Sequence, residues 1–245
     1  MNVDFHVHTN LSVDGVHSPR EMVKYAKSVR LDAIAITDHN RLFSWREAKR
    51  LSKEFGILVI PGIEGGNIAI QKHWIALGIE RCIEDFGILK ILCDVRNEAG
   101  LSVAPHPHTR QGYENYAALG FDAVESLNGT EPKANAQIRN TRRIPEVAGS
   151  DAHSFPMLGF SWTRVEADGS LESILEAVRH GHCKPEGSTV PLPEFLQFYS
   201  LYIKKRIILQ PSAAFAAFCG VISDIRRVRQ IEFSRESIEQ YAELR

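Results

Sequence analysis

Cysteine is scarce in this chain. The four present, Cys82, Cys93, Cys183 and Cys219, form no CxxC pair and stand apart from the histidine-rich segments. They read as reduced, mostly buried residues of a cytoplasmic protein rather than a disulfide framework. The opening residues, MNVDFHVH, lack the basic start and long apolar run of a secretory signal, and no uninterrupted apolar run is long enough to span a bilayer. Charge of one sign is also missing. The formal net charge is -1 with histidine neutral, so no global field draws the chain to nucleic acid or membrane, and an anionic substrate must be attracted locally. There is no internal repeat, no low-complexity segment and no nucleophile-elbow pattern. What remains is soluble globular material: 245 residues, 44% apolar and 24% charged. A chain of this length buries most of its surface without covalent staples and suits a single α/β barrel.

Short apolar runs alternate with helical patterns. Residues 3–7, 31–37, 57–63, 101–104, 121–124 and 145–148 read as strands, and 67–79 as a further extended segment. A helix is predicted over 19–29, with Ser18 as N-cap, Pro19 at the first position and Glu21 three residues after the cap. Others are predicted over 44–55, closed by Gly56, over 84–99, ending at Gly100, and over 171–180, followed by Gly181. Strands alternating with helices imply βαβ units, a parallel sheet and a closed or nearly closed barrel. Residues 185–193 (PEGSTVPLP) read as a linker. Residues 194–210 are aromatic and apolar with a basic knot at Lys204, Lys205 and Arg206. Pro211 breaks this run, and 212–245 reads as one or two more helices, packed on the barrel or forming an oligomer surface.

The histidines carry the chemistry. Of ten, six close apolar, strand-like runs: His6 and His8 after VDF, His39 after LDAIAITD, His73 after NIAIQK, His106 after LSVAP and His153 after PEVAGSDA. Glu64, Glu125 and Asp151 occupy equivalent places. The strand C-termini of a parallel barrel converge on one mouth, so residues remote in sequence meet there. His6 and His8, like Asp151 and His153, are two apart and share a strand face. These pairs come from opposite ends of the barrel sequence and are expected to meet across its seam. Neutral imidazole suits zinc, iron or manganese, and a carboxylate can bridge two such ions. So many histidines and carboxylates exceed the need of one ion. Two or three would balance them, activate water and clamp both reacting oxygens of a phosphoester. A lone strand histidine is ordinarily a core or surface residue, but six at strand ends with paired spacing are not explained that way.

HVHTNLSVDG (residues 6–15) resembles the opening HxH motif and following turn of the PHP family, named for polymerase and histidinol phosphatase. ITDHN at 36–40, GIEGG around Glu64, HWIALG at His73, APHP at His106 and GSDAHS at 149–154 resemble its remaining motifs in order. The resemblance covers residues 1–185. It implies an α/β fold, a distorted (β/α)7 TIM-like barrel, with a C-terminal helical extension over 186–245. It also implies two or three divalent metal ions, manganese, zinc or iron, with magnesium admissible. By position, His6, His8, Glu64 and Asp151 would hold the first. Glu64 would bridge to a second, completed by His73 and His106. Asp14, His39 and His153 would hold the third; some members of the family carry histidine where Asp14 stands. The implied activity is hydrolysis of a phosphate monoester or nucleotide-type phosphoester by a metal-bridging hydroxide.

Asp14, Arg110 and Asp38 are the candidates for direct roles in catalysis. Arg110, four residues after His106, is either a bidentate phosphate ligand or a solvated loop arginine. Asp38 either orients a ligand histidine or caps the following turn. Glu125 supports a ligand, faces substrate or is structural. His108 either protonates the leaving group or, the favoured reading, lies exposed at the surface; His17, His180 and His182 read as non-functional. The expected partner is a small phosphorylated substrate, with no membrane. Short nucleic acids are the alternative, for a 5′-3′ exonuclease or nucleotide 3′,5′-bisphosphate phosphatase. The basic residues at 204–206 and 226–229 would then contact the chain, against a plain reading as solvated helix faces. A non-catalytic metal-binding PHP module is disfavoured by the complete ligand set. Amide or ring hydrolysis is disfavoured by the lack of a lysine at the matching strand end. The main mouth loops, 66–72, 109–119 and 126–134, are short and imply an open site.

Overall fold

The computed structural model describes residues 1–66, 72–83, 87–137 and 144–209. The chain divides into two units, Met1–Val190 and Pro191–Arg245.

In the first unit the elements follow in the order β1 (Asn2–Val7), α1 (Pro19–Ser28), β2 (Ala33–Ile36), α2 (Trp45–Phe55), β3 (Leu58–Gly66), β4 (His73–Leu77), α3 (Ile88–Asn97), β5 (Leu101–Ala104), α4 (Tyr116–Leu119), β6 (Ala123–Asn128), α5 (Pro132–Asn135), β7 (Glu146–Gly149), β8 (Ser161–Val165), α6 (Leu171–Arg179) and β9 (Cys183–Gly187). Local signals account for the ends of the best-defined helices. Ser18 and Glu21 form a reciprocal capping box at α1, and Gly56 ends α2 in the left-handed region at φ 61°. In the second unit α7 (Leu192–Leu209) carries the basic knot, and the Arg206 guanidinium lies 5.6 Å from the Tyr202 ring centroid. Residues 210–245, with Cys219 and the basic run at 226–229, lie outside the described residues.

The nine strands among the described residues join in one sheet ordered β7-β6-β5-β4-β3-β2-β1-β8-β9. It curls into a nearly closed barrel. One buried apolar cluster takes residues from every strand from β1 to β7, among them Phe5, Ala35, Ile60, Leu77, Val103, Ala123 and Val147, and adds Ile174 and Val178 of α6. A second cluster packs the other face of β4–β6, through Trp74, Ala76, Ala104 and Val124, against Ile91 and Val95 of α3. Strands buried on both faces explain why these segments read as nearly continuous apolar runs.

The sheet is not all parallel as the alternation implies. β1, β2 and β3 run parallel, as do β5, β6 and β7, but β4 is antiparallel to both its neighbours. The link from Gly66 to His73 is too short for a parallel crossover, which needs a dozen or more residues. His73 therefore starts a strand rather than ending one, yet lies at the same rim because it pairs with Gly66. β8 and β9 add two antiparallel strands beside β1, so 183–187 belongs to the sheet and only the rest of the expected linker connects it to α7. Cys82 and Cys93 are exposed and Cys183 is half-buried, contrary to the expectation of burial. No helix among the described residues is long and apolar enough to cross a membrane.

The barrel closes at its mouth. Beyond Gly149 the chain lies along the end of β1, where the Asp151 amide donates to the His6 carbonyl at 2.8 Å and the His8 amide to the Ala152 carbonyl at 2.9 Å.

Candidate metal centre

The strand ends at this mouth bring together all nine candidate ligands. Glu64, 1% exposed on β3, stands in the middle. Its Oε1 lies 2.9 Å from His73 Nδ1 and 3.2 Å from His106 Nε2. Its Oε2 lies 2.9 Å from His39 Nδ1, 3.3 Å from His8 Nε2 and 3.5 Å from His6 Nε2. Asp151 Oδ1 faces His8 and His6 Nε2 at 3.3 and 3.5 Å from across the seam. Asp14, on the loop after β1, sets Oδ2 at 3.3 Å from both His39 Nε2 and His153 Nε2. Among the described residues, three groups have ligand atoms close enough to share a cation: His6, His8 and Asp151; His39, Glu64 and His73; and His8, Asp14, His39 and His153. His8 and His39 each belong to two groups, where the resemblance implies one ion apiece.

The outward ring nitrogens fix the tautomers. His6 Nδ1 donates to Glu125 Oε1 at 3.1 Å. Ser12 Oγ donates to Asp38, so it accepts from His8 Nδ1, 3.4 Å away. Thr109 Oγ1 donates to the His106 carbonyl and accepts from His106 Nδ1 at 3.0 Å. His153 Nδ1 donates to the Asp151 carbonyl at 2.9 Å. In the neutral form all four rings therefore turn an Nε2 lone pair inward. His6 and His8 Nε2 approach to 3.0 Å, and two lone pairs at that distance require a shared proton or a cation. Among the described residues, buried Asp14 Oδ1 has no hydrogen-bond partner, and buried Glu64 Oε2 has no close donor besides the His39 ring. This donor set fits divalent ions.

Residues 4–146 match the PHP domain family, and residues 134–183 match the PHP-associated family. The chain belongs to the PHP family. An uncharacterized protein of Methanocaldococcus jannaschii is 32% identical, the match covering 52% of this chain and 82% of that protein. A 5′-3′ exoribonuclease of Haemophilus influenzae is 37% identical over 31% of this chain and 26% of its own length. The crystal structure of a two-domain Bacteroides vulgatus protein, containing a predicted PHP-like metal-dependent phosphoesterase, superposes with a TM-score of 0.62 at 20% identity, covering 77% of this chain and 65% of that one.

The PHP centre is strongly polarised. Burial alone opposes charge on His6, but Asp151, Glu125 and Glu64 hold its pKa well above the ordinary value. For His39 burial is outweighed by Glu64 and Asp14, which raise it to about 11. For His153 burial is outweighed by Asp14 and Asp151, which raise it to about 9. Burial raises Glu64 and Asp151, yet the facing rings hold both well below the carboxylate range. His106 and Asp151 adopt positive φ, 30° and 52°, a strained backbone for non-glycine residues that aims both at the centre.

Other candidates are placed differently. Both Asp38 oxygens are taken by Thr9 and Ser12, through their amides and hydroxyls at 2.7 to 3.1 Å. Asp38 thus pins the loop carrying Asp14 and reaches His8 only through Ser12. Arg110 is exposed and pairs with nothing among the described residues. His108 is half-buried rather than surface-exposed, and its Nε2 is buried without a partner among the described residues. His17 packs its ring on Phe155 at 4.0 Å, while His180 and His182 are exposed. Sequence reasoning passed over Asn128 and Thr130, which contact Asp151, and Gln111, whose carbonyl accepts from the His73 amide.

Packing behind the centre is tight. A Cβ on Gly149 would lie 2.4 Å from His6 Cβ and 2.5 Å from Glu125 Oε1. Gly149→Ala is expected to displace His6, costing about 1–3 kcal/mol of stability from overpacking. Thermal unfolding checks the cost, and unchanged stability and metal content would show that the pocket yields.

Proposed function

We propose that this chain is a metal-dependent phosphoesterase that hydrolyses phosphate monoesters or nucleotide-type phosphoesters, using two or three ions of manganese, zinc or iron, with magnesium the weaker fit to imidazole. The observation carrying this reading is the inward turn of Nε2 on His6, His8, His106 and His153 around Glu64, with the outward nitrogens anchored. His6, His8, Glu64 and Asp151 would hold one ion, Glu64, His73 and His106 a second, and Asp14, His39 and His153 a third. Bound there, the ions supply Lewis-acid chemistry: a more acidic water and neutralisation of charge on the reacting oxygens. The chain's contribution is geometry. Glu64 bridges the ligand groups, Asp151 holds the seam side, and Asp14 closes the outer side. Arg110, exposed on the loop after His106, would take a phosphate oxygen pair.

A screen of phosphorylated metabolites and short oligonucleotides with manganese, zinc, magnesium and iron tests this. Metal-dependent hydrolysis of at least one phosphoester is expected; bound metal with no hydrolysis would favour a non-catalytic module. The exoribonuclease relative favours a second reading, trimming of short nucleic acids. Substrate binding that weakens steeply with salt would support it, because phosphate contacts release counterions.

The raised histidines add a pH prediction. His39, at about 11, and His153, at about 9, carry protons at neutral pH in the metal-free protein. Ligating rings must be neutral, so filling the centre releases about two protons from these rings. Metal affinity therefore rises as pH rises toward those values and falls as pH drops. Calorimetric titration with manganese in buffers of different ionisation enthalpy reads the released protons, and none released would contradict the assignment.

A further inference from the structure

We infer that Asn128, acting with Glu125 and Thr130, is a positioning residue that sets how Asp151 and His6 present themselves to the cation at the β1–β7 seam. This rests on the metal-centre reading above.

The device begins with a bulge. β6 pairs Glu125 with Val147 and then Leu127 with Ala148, so two steps along β6 match one along β7. In a regular strand, residues three apart face opposite sides. The extra residue, Ser126, lets Glu125 and Asn128 turn the same way, a use of bulges found beside active sites. Both are buried, 2% and 0% exposed.

What they contact follows from donor counting. Glu125 Oε1 accepts from His6 Nδ1, while Oε2 accepts from the His106 amide at 2.9 Å and from Asn128 Nδ2 at 2.8 Å. Asn128 Oδ1 accepts from the Thr130 amide at 2.8 Å, which fixes the side-chain amide so that its NH2 group faces the carboxylates. Its second hydrogen points toward Asp151 Oδ2 at 3.3 Å, and Thr130 Oγ1 lies 2.8 Å from the same oxygen. Asn135 grips the Asn128 backbone from both sides, accepting from its amide and donating to its carbonyl, each at 2.8 Å.

One neutral amide thus bridges two buried carboxylates that would otherwise repel. With Oδ2 of Asp151 occupied from behind, only Oδ1 is left to face His6 and His8. Asp151 would then offer a cation one oxygen, and Glu125 holds His6 in the tautomer with Nε2 inward.

The test uses the full chain with manganese or zinc alone, titrated against a chromophoric chelator, with bound metal counted after gel filtration. Asn128→Ala and Thr130→Val are each expected to weaken one class of bound ion about 10- to 100-fold, the range for partners that orient metal ligands. The remaining ions should bind as in the wild type. Thr130→Ser, which keeps the hydroxyl, should restore wild-type affinity; packing alone would make serine the worse substitution and leave valine neutral. Unchanged affinity in both Asn128→Ala and Thr130→Val, with metal still bound by the wild type, would overturn this inference alone. A wild-type chain that binds no divalent ion would overturn the metal-centre reading with it.

Discussion

His8→Ala is expected to lower turnover of a generic aryl phosphate by at least about 1,000-fold, equivalent to losing about 4 kcal/mol of transition-state stabilisation. Three observations put this residue above its neighbours. Its side chain is fully buried. Its Nε2 lies within 3.3 Å of Glu64 Oε2, Asp151 Oδ1 and His6 Nε2. It also belongs to two of the three ligand groups, so one truncation opens both. His182→Ala, at an exposed ring, is the control and should leave turnover intact. The comparison needs only a steady-state assay at saturating manganese. Retention of wild-type turnover by His8→Ala would remove the metal mechanism altogether.

Glu64→Gln should act even more broadly. The carboxylate faces five imidazole nitrogens, at 2.9 to 3.5 Å, and bears a single negative charge while itself buried. Glutamine keeps the shape but removes the charge and turns an NH2 group toward nitrogens that need a negative partner. The His6, His39 and His106 rings, each held above its ordinary pKa partly by Glu64, should titrate lower in the metal-free protein. Loss of more than one ion per chain and a fall in activity of about 1,000-fold or more are expected, since a ligand is removed from both halves of the centre. Elemental analysis of purified protein and NMR titration of the imidazoles measure the two effects independently. A full metal complement in Glu64→Gln would contradict the bridging role.

The candidate ligands other than Asp14 were legible because their positions depend on local facts: each lies beside an apolar run, and the strands carrying them meet at the same rim. Asp14, in a polar turn, came only from the resemblance. The antiparallel course of β4 was also within reach, since the short link before His73 forbids a parallel crossover. β8 and β9 were not. Ser161 and Thr163 are polar at buried positions because their hydroxyls bond the Gly149 and Ala148 carbonyls, so β8 shows no apolar run. β9 contains Pro185 and Gly187, which read as breakers but are tolerated on a strand at the edge of the sheet order. The role of Asn128 depends on a bulge, and a one-residue register shift has no signature in the pattern of side chains. Asp38 shows the limit of reading contacts from neighbours in sequence. It sits beside a ligand in sequence, yet its oxygens are spent on backbone and hydroxyl donors of another loop.

The place where the barrel closes has a consequence for how the molecule is held together. The two backbone hydrogen bonds joining the end of β1 to residues 151 and 152 are flanked by His6, His8 and Asp151. An ion gripped by these three would fasten the first strand of the wall to the seventh, as a removable rivet across almost the whole length of the barrel sequence. Its loss would restore the freedom of a very long loop to the unfolded chain, much as reduction of a disulfide does. Chelation should thus do more than silence the centre. It should unzip the wall at its joint, and hydrogen exchange at the His8 and Asp151 amides would speed up before that of the strands on the far side.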